Sequence, residues 1–204
     1  MNQGAVTKAT AKTYSFTGTG VTLENLSGWD MASKDVIGSP IAKDGSSTVL
    51  ASGATVYYKS SKAGTVRFRS EHAANAELTA DMVSAITALN FNGGQTSDDF
   101  SSGVTLANLD RYVSIPVDGA GTVTASIKFV KSDKATAGKN GQAALVDSNG
   151  KLIGTLAECD MTVGGEATLT GTVSAATTVT LAFSRNGAGA GGIDVTSIAV
   201  TPAE

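Results

Sequence analysis

Along most of this chain apolar and polar residues alternate one for one, in short runs broken by Gly, Ser, Asn and Asp. In TVRFR (65–69), Val66 and Phe68 fall on one side and Arg67 and Arg69 on the other, the two-residue period of a strand with one buried face. TYSFTG, STVLASGATVYYKSS, RYVSIPVDGAGTVTASIKFV and ATLTGTVSAATTVTLAF keep the same rhythm. IDVTSIAVTP begins with Ile193 and Val195 in step, then Ser197 or Ile198 breaks the period. SSKAG (60–64) is expected to join its two flanking strands directly, and Asp147-Ser148-Asn149-Gly150 to close a hairpin, because those residues tolerate left-handed φ. One stretch departs from this: ELTADMVSAITALNF sets Leu78, Met82, Ile86 and Leu89 at helical spacing behind Thr79 as N-cap. Residues 78–90 are therefore read as a short helix, the other reading being a loop into a strand ITALNF.

About nine or ten strands at roughly 8–12-residue spacing, with at most one short helix, predict an all-β antiparallel sandwich or barrel. No Pro-rich or charged linker divides the 204 residues, so 14–204 is read as one domain behind a tail of residues 1–13. Thr and Val favour strands, Gly and Ser supply turns, and 41% apolar residues suffice for a core. With 16% charged residues and a net charge of −3, the chain lacks the basic stripe a nucleic-acid binder needs. No run approaches the roughly 18 apolar residues of a membrane span. The start MNQGAVTKATAKTYSF lacks a secretory signal. The Thr/Ser/Gly-rich, nearly Cys-free style fits a domain excised from a larger secreted or cell-surface protein of bacterial type.

Candidate chemistry is sparse. Gly187, Gly189 and Gly192 match G-x-G-x-x-G, but the β-branched IDVTSIAV follows where a helix is required, and the chain ends too soon for the ribose-binding acid. They are read as a tightly bent connection between the last two strands. His72, the only histidine, sits in a polar loop, and Cys159, the only cysteine, has no basic neighbour to activate it. Enzymatic activity is not expected, although an acidic pair such as Glu71 and Glu77 could still support glycoside hydrolysis. GVTLENL (20–26) and GVTLANL (103–109) echo each other, but their flanks diverge at once.

Binding chemistry is easier to place. Two of the four arginines, Arg67 and Arg69, share one strand face, and Tyr58 and Lys59 lie across the expected turn from them. An aromatic beside outward guanidiniums can stack on a sugar ring while the fork takes a hydroxyl or a uronate carboxylate. Trp29 is either a loop-borne stacking platform or a lid on the core. No cofactor is required, but a structural Ca²⁺ could use carboxylates together with backbone carbonyls, and Asp98, Asp99 and Asp194 are the candidates.

VYYKSSKAGTVRFRSE, LNFNGG, RYVSIPVDGAGTVTASIKF, AALVDSNGKLIGTL and GGIDVTSIAVTP together resemble the jelly-roll accessory domains of bacterial polysaccharide-degrading enzymes, including pectate-lyase systems. The likeness covers about residues 14–202. It implies a galactose-binding-like jelly roll and a non-catalytic carbohydrate-binding module for a plant-wall or acidic polysaccharide, with Trp29, Tyr58, Lys59, Arg67 and Arg69 at the site. The alternative is a structural, assembly or adhesion domain without a soluble glycan ligand. It would carry both arginines on a solvated convex face and bury Trp29.

Overall fold

In the computed structural model, which describes residues 5–31, 40–41, 46–59, 65–70, 77–92 and 96–204, the alternating segments become strands of two antiparallel sheets. In chain order they are β1 (Lys12–Ser15), β2 (Asp30–Met31), β3 (Pro40–Ile41), β4 (Ser46–Val49), β5 (Thr55–Tyr58), β6 (Thr65–Arg69) and β7 (Ala88–Asn92). Then follow β8 (Arg111–Val117), β9 (Gly121–Val130), β10 (Asn140–Val146), β11 (Ala157–Asp160), β12 (Gly165–Val173), β13 (Thr177–Ser184) and β14 (Gly192–Pro202). The front sheet runs β12-β9-β14-β7-β6-β3-β2, with β1 also on β14; the back sheet runs β11-β10-β13-β8-β5-β4. Strands outnumber the nine or ten expected because several are too short to display alternation.

The pairings nest: β10 with β11, β9 with β12, β8 with β13 and β7 with β14. This is one long hairpin rolled so that successive pairs fall alternately in the back and front sheets, a jelly roll. It corrects the local pairings expected from sequence. β5 and β6, β8 and β9, and β12 and β13 are consecutive but lie in opposite sheets, so none of these pairs is a hairpin. Alternation fixes which face of a strand is buried, and says nothing about which strand is its neighbour.

The core fills the space between the sheets. Val66, Phe68, Leu89, Phe91, Ile127, Phe129, Ile193 and Val195 come from the front; Val56, Tyr58, Val113, Ile115, Leu145, Leu181 and Phe183 come from the back. The broken period in the last strand is a β-bulge between Val195 and Ser197, after which Ile198 and Val200 point inward. The back sheet's outer face is covered by a second apolar cluster, in which Phe100, Val104 and Leu109 lie on Ala144, Val146 and Ala182.

Three further expectations change. Residues 8–13 belong to the sandwich and not to a tail: Lys8 bridges Ala120, Ala9 is buried, and Thr10 donates its backbone N–H to Asp118 Oδ1 at 2.7 Å. The helix α1 spans only Ala80–Ser84, with Thr79 Oγ1 capping Met82 N, and β7 replaces its expected second half. Asp147–Gly150 does turn, but only Leu152 bridges back to Val146, and β10's neighbour is β11. Both echo segments form single 3-10 turns, Glu24–Leu26 and Leu106–Asn108.

Candidate functional site

The outer face of the front sheet carries one polar row across five strands. Register places Arg67 opposite Asn90, Asn90 opposite Asp194, Asp194 opposite Lys128 and Lys128 opposite Glu166. At about 4.8 Å per strand the row spans about 19 Å. Each member is the outward alternate of an inward core residue, so the packing of Phe68, Leu89, Val195 and Ile127 sets where these side chains stand. Burial falls along the row: Asn90 is 1% and Arg67 8% exposed, while Lys128 and Glu166 are open to solvent.

At the buried end, Arg69 lies opposite Ala88, whose small side chain lets the guanidinium reach across to Asp194. Arg69 Nε donates to Asp194 Oδ1 at 2.8 Å and Oδ2 at 2.9 Å, and Asn90 Nδ2 donates to Asp194 Oδ1 at 2.7 Å. Asp194 is thereby partnered at both carboxylate oxygens. Arg67 is not so partnered: its Nε and Nη1 are buried with no hydrogen-bond partner. Burial first, and Arg69 second, push its pKa down to about 10 against the pull of Asp194, which leaves a strained cation at neutral pH.

Arg67, Arg69 and Asn90 form the floor of a cavity of about 550 Å³. Its rim comes from two connections, residues 131–134 after β9 and residues 185–191 before β14. These add Lys131, Lys134 and Arg185 against a single acid, Asp133. Three of the chain's four arginines thus line one hollow, and its excess of cations opposes the chain's net charge of −3. None of its described lining residues is aromatic. The glycine-rich connection is the upper wall, not a nucleotide loop. Asn186, Gly187, Gly189 and Gly191 all take positive φ, and Arg185 Nη1 donates to Gly189 O at 2.9 Å. At Gly191 a Cβ would come within 2.4 Å of Met161 Cε.

The other sequence candidates lie elsewhere. Tyr58 points between the sheets, 5% exposed, on the back sheet, so it cannot share a face with Arg67 and Arg69. Its neighbour Tyr57 is the outward one and stacks on Tyr112, centroids 4.8 Å apart. Lys59 is exposed at the end of the same back-sheet strand. Trp29 packs on Phe68 at 5.3 Å between ring centroids and donates Nε1–H to Thr48 Oγ1 at 3.0 Å; of its two readings the geometry is that of the lid.

The carboxylates proposed for calcium are split between faces. Asp99 accepts from Ser101 and Gln142, and Asp98 from Asn108, over the back sheet, while Asp194 is held by Arg69 on the front. Among the described residues no three His, Cys, Asp or Glu side chains converge to hold a metal. The Cys159 thiol is half-buried, and burial and then Asp160 push its pKa up, away from nucleophile behaviour. His72, Glu71 and the SSKAG turn lie outside the described residues, which leaves Glu77 without its expected partner there.

Sequence reasoning missed Asn90, Lys131, Lys134 and Arg185. Asn90 carried a signal, since in ALNFN it alternates outward between Leu89 and Phe91. The rim residues carried none, because jelly-roll pairing brings their loops together from distant parts of the chain.

No family model matches the chain, and no curated protein matches it. Among solved structures it is similar to the CBM22-1 xylan-binding domain of Paenibacillus barcinonensis Xyn10C, at 10% identity and a TM-score of 0.45, with 97% of each chain covered. It is also similar to the arabinose-bound α-L-arabinofuranosidase MgGH51, at 12% identity and a TM-score of 0.37, over 98% of this chain and 27% of that one. A third is the Arthrobacter globiformis T6 isomalto-dextranase complexed with panose, at 11% identity and a TM-score of 0.35, over 96% and 33%. Likenesses this distant assign neither a family nor a ligand.

Proposed function

We propose that this domain is a non-catalytic module that binds an acidic polysaccharide in the front-sheet cavity, with Arg67 as its principal contact. The carrying observation is the buried guanidinium whose Nε and Nη1 have no partner, in a hollow with a marked excess of cationic side chains. A buried unsatisfied N–H is destabilising by about 1–3 kcal/mol, so a ligand carboxylate that satisfies it gains affinity. Arg69 gives its Nε–H to Asp194, and that ion pair holds the floor in place. Recognition is by charge-assisted hydrogen bonds and not by stacking, since Tyr58 and Trp29 are both engaged by the core. The source is a secreted or surface protein, with this domain as one part of it.

Trp29's packing favours the second reading, a purely structural module, but that reading wants solvated arginines and Arg67 is 8% exposed. Affinity electrophoresis separates the two readings. Uronate-bearing polysaccharides should retard the protein at low salt, neutral ones should not, and both high salt and Arg67→Met should abolish the effect. Equal mobility in every gel supports the structural module.

A further inference from the structure

Asn90 presents a second orphan atom in the same floor. Its Nδ2 is fixed by two acceptors, Asp194 Oδ1 at 2.7 Å and Ile193 O at 3.3 Å, so the orientation of the amide is set by chemistry. The other arm, Oδ1, is buried and unpartnered, and Asn90 stands directly opposite Arg67 in register. The floor therefore offers two donors, Arg67 Nε–H and Nη1–H, beside one acceptor. A fully ionised inorganic anion such as sulfate has only acceptors; it would satisfy Arg67 and set an oxygen against Oδ1. A neutral sugar has donors but no charge for Arg67.

The geometry points to a ligand that carries both: a carboxylate with a hydroxyl on a neighbouring carbon, the carboxylate on Arg67 and the hydroxyl proton on Asn90 Oδ1. In a hexuronic acid that hydroxyl is the one at C4, next to the ring carbon that bears the carboxylate. Units linked through O4 have lost that proton. The cavity thus selects a uronic acid whose O4 is unsubstituted, with Asn90 as the residue that determines specificity. This inference rests on the acidic-glycan reading and narrows it.

Three probes test it on the full chain by calorimetry: glucuronate, its 4-O-methyl ether, and inorganic sulfate. Loss of one hydrogen bond to a buried acceptor predicts that the ether binds at least about tenfold more weakly than glucuronate, with sulfate weaker still. Asn90→Leu should weaken glucuronate by a similar factor and bring it level with the ether. The comparison of probes on the wild-type protein does not depend on that variant folding. Equal binding of glucuronate and its ether, or binding of neither, overturns the inference. If an acidic polysaccharide still binds through Arg67 in that case, the broader reading stands; if no acidic ligand binds in any form, both fall.

Discussion

Replacing Arg67 with Met should make the protein more stable and less able to bind. The arginine holds its charge in a site that depresses its pKa well below the usual guanidinium range, to about 10, a penalty of about 3 kcal/mol on the charged form at neutral pH. Two of its N–H donors are buried and unpaired. Methionine keeps an unbranched stem of similar reach, so the hydrocarbon packing over the sheet survives, while the charge and the orphan donors go. Relaxation and water entry in the wild type reduce the gain, and the expected net stabilisation is about 1–2 kcal/mol. For a domain of about this size that is about 2–8 °C in melting temperature. Urea titration followed by Trp29 fluorescence and thermal melting give the two numbers independently. A ligand at about a hundred times its Kd should stabilise the wild type by about 2.7 kcal/mol and leave the variant unmoved. Destabilisation of the variant by more than about 1 kcal/mol would mean instead that the guanidinium is satisfied within the folded chain and is structural.

Other consequences follow from the same contacts. Trp29→Ala should cost about 2–4 kcal/mol through lost packing on Phe68 and leave ligand affinity unchanged, read by urea titration and calorimetry; a large affinity loss in a fully folded variant would restore the stacking role. Gly191→Ala should be destabilising by about 2 kcal/mol or more in the same titration, since φ is +113° and Met161 occupies the space. Asp118 holds Thr10, and those hydrogen bonds lower its carboxyl pKa. Its contribution is therefore complete above the ordinary carboxylate pKa of about 3.9 and fades as pH falls through the depressed folded value. Asp118→Asn should flatten the acid limb of the stability–pH curve, and an unchanged limb would place the acid sensitivity elsewhere.

How far the molecule was legible in its sequence differs from residue to residue. Val66 and Phe68 against Arg67 and Arg69 sorted correctly, because a period of two is a local property of the strand. Even the bulge in β14 was visible as a slip after Val195. Tyr58 was misplaced although its parity with Val56 marked it as inward; the expected turn at 60–64 drew β5 and β6 into one sheet. That error has a physical source. In a rolled hairpin the neighbours of a strand are set by contacts across the whole chain, so β6 meets β7 and β3 while β5 meets β8 and β4. The same cause hid Lys131, Lys134 and Arg185, which approach Arg67 only after the roll has closed. Residues 8–13 misled for a plainer reason: β1 is four residues long and its partner, β14, is the last strand.

If Arg67 is where an acidic glycan binds, its side-chain Nε–H resonance reports the contact. With only four arginines the ¹H–¹⁵N signals are few, and Arg67→Met assigns the relevant one by its disappearance. On titration with a uronate oligosaccharide, the Arg67 Nε–H should shift saturably, Arg185 should shift less, and Arg111, which lies 2% exposed on β8 and outside the cavity lining, should not shift. An Arg67 signal that stays in place while the ligand binds, with shifts confined to Tyr57 and Tyr112, would contradict that placement and move the site to the back sheet.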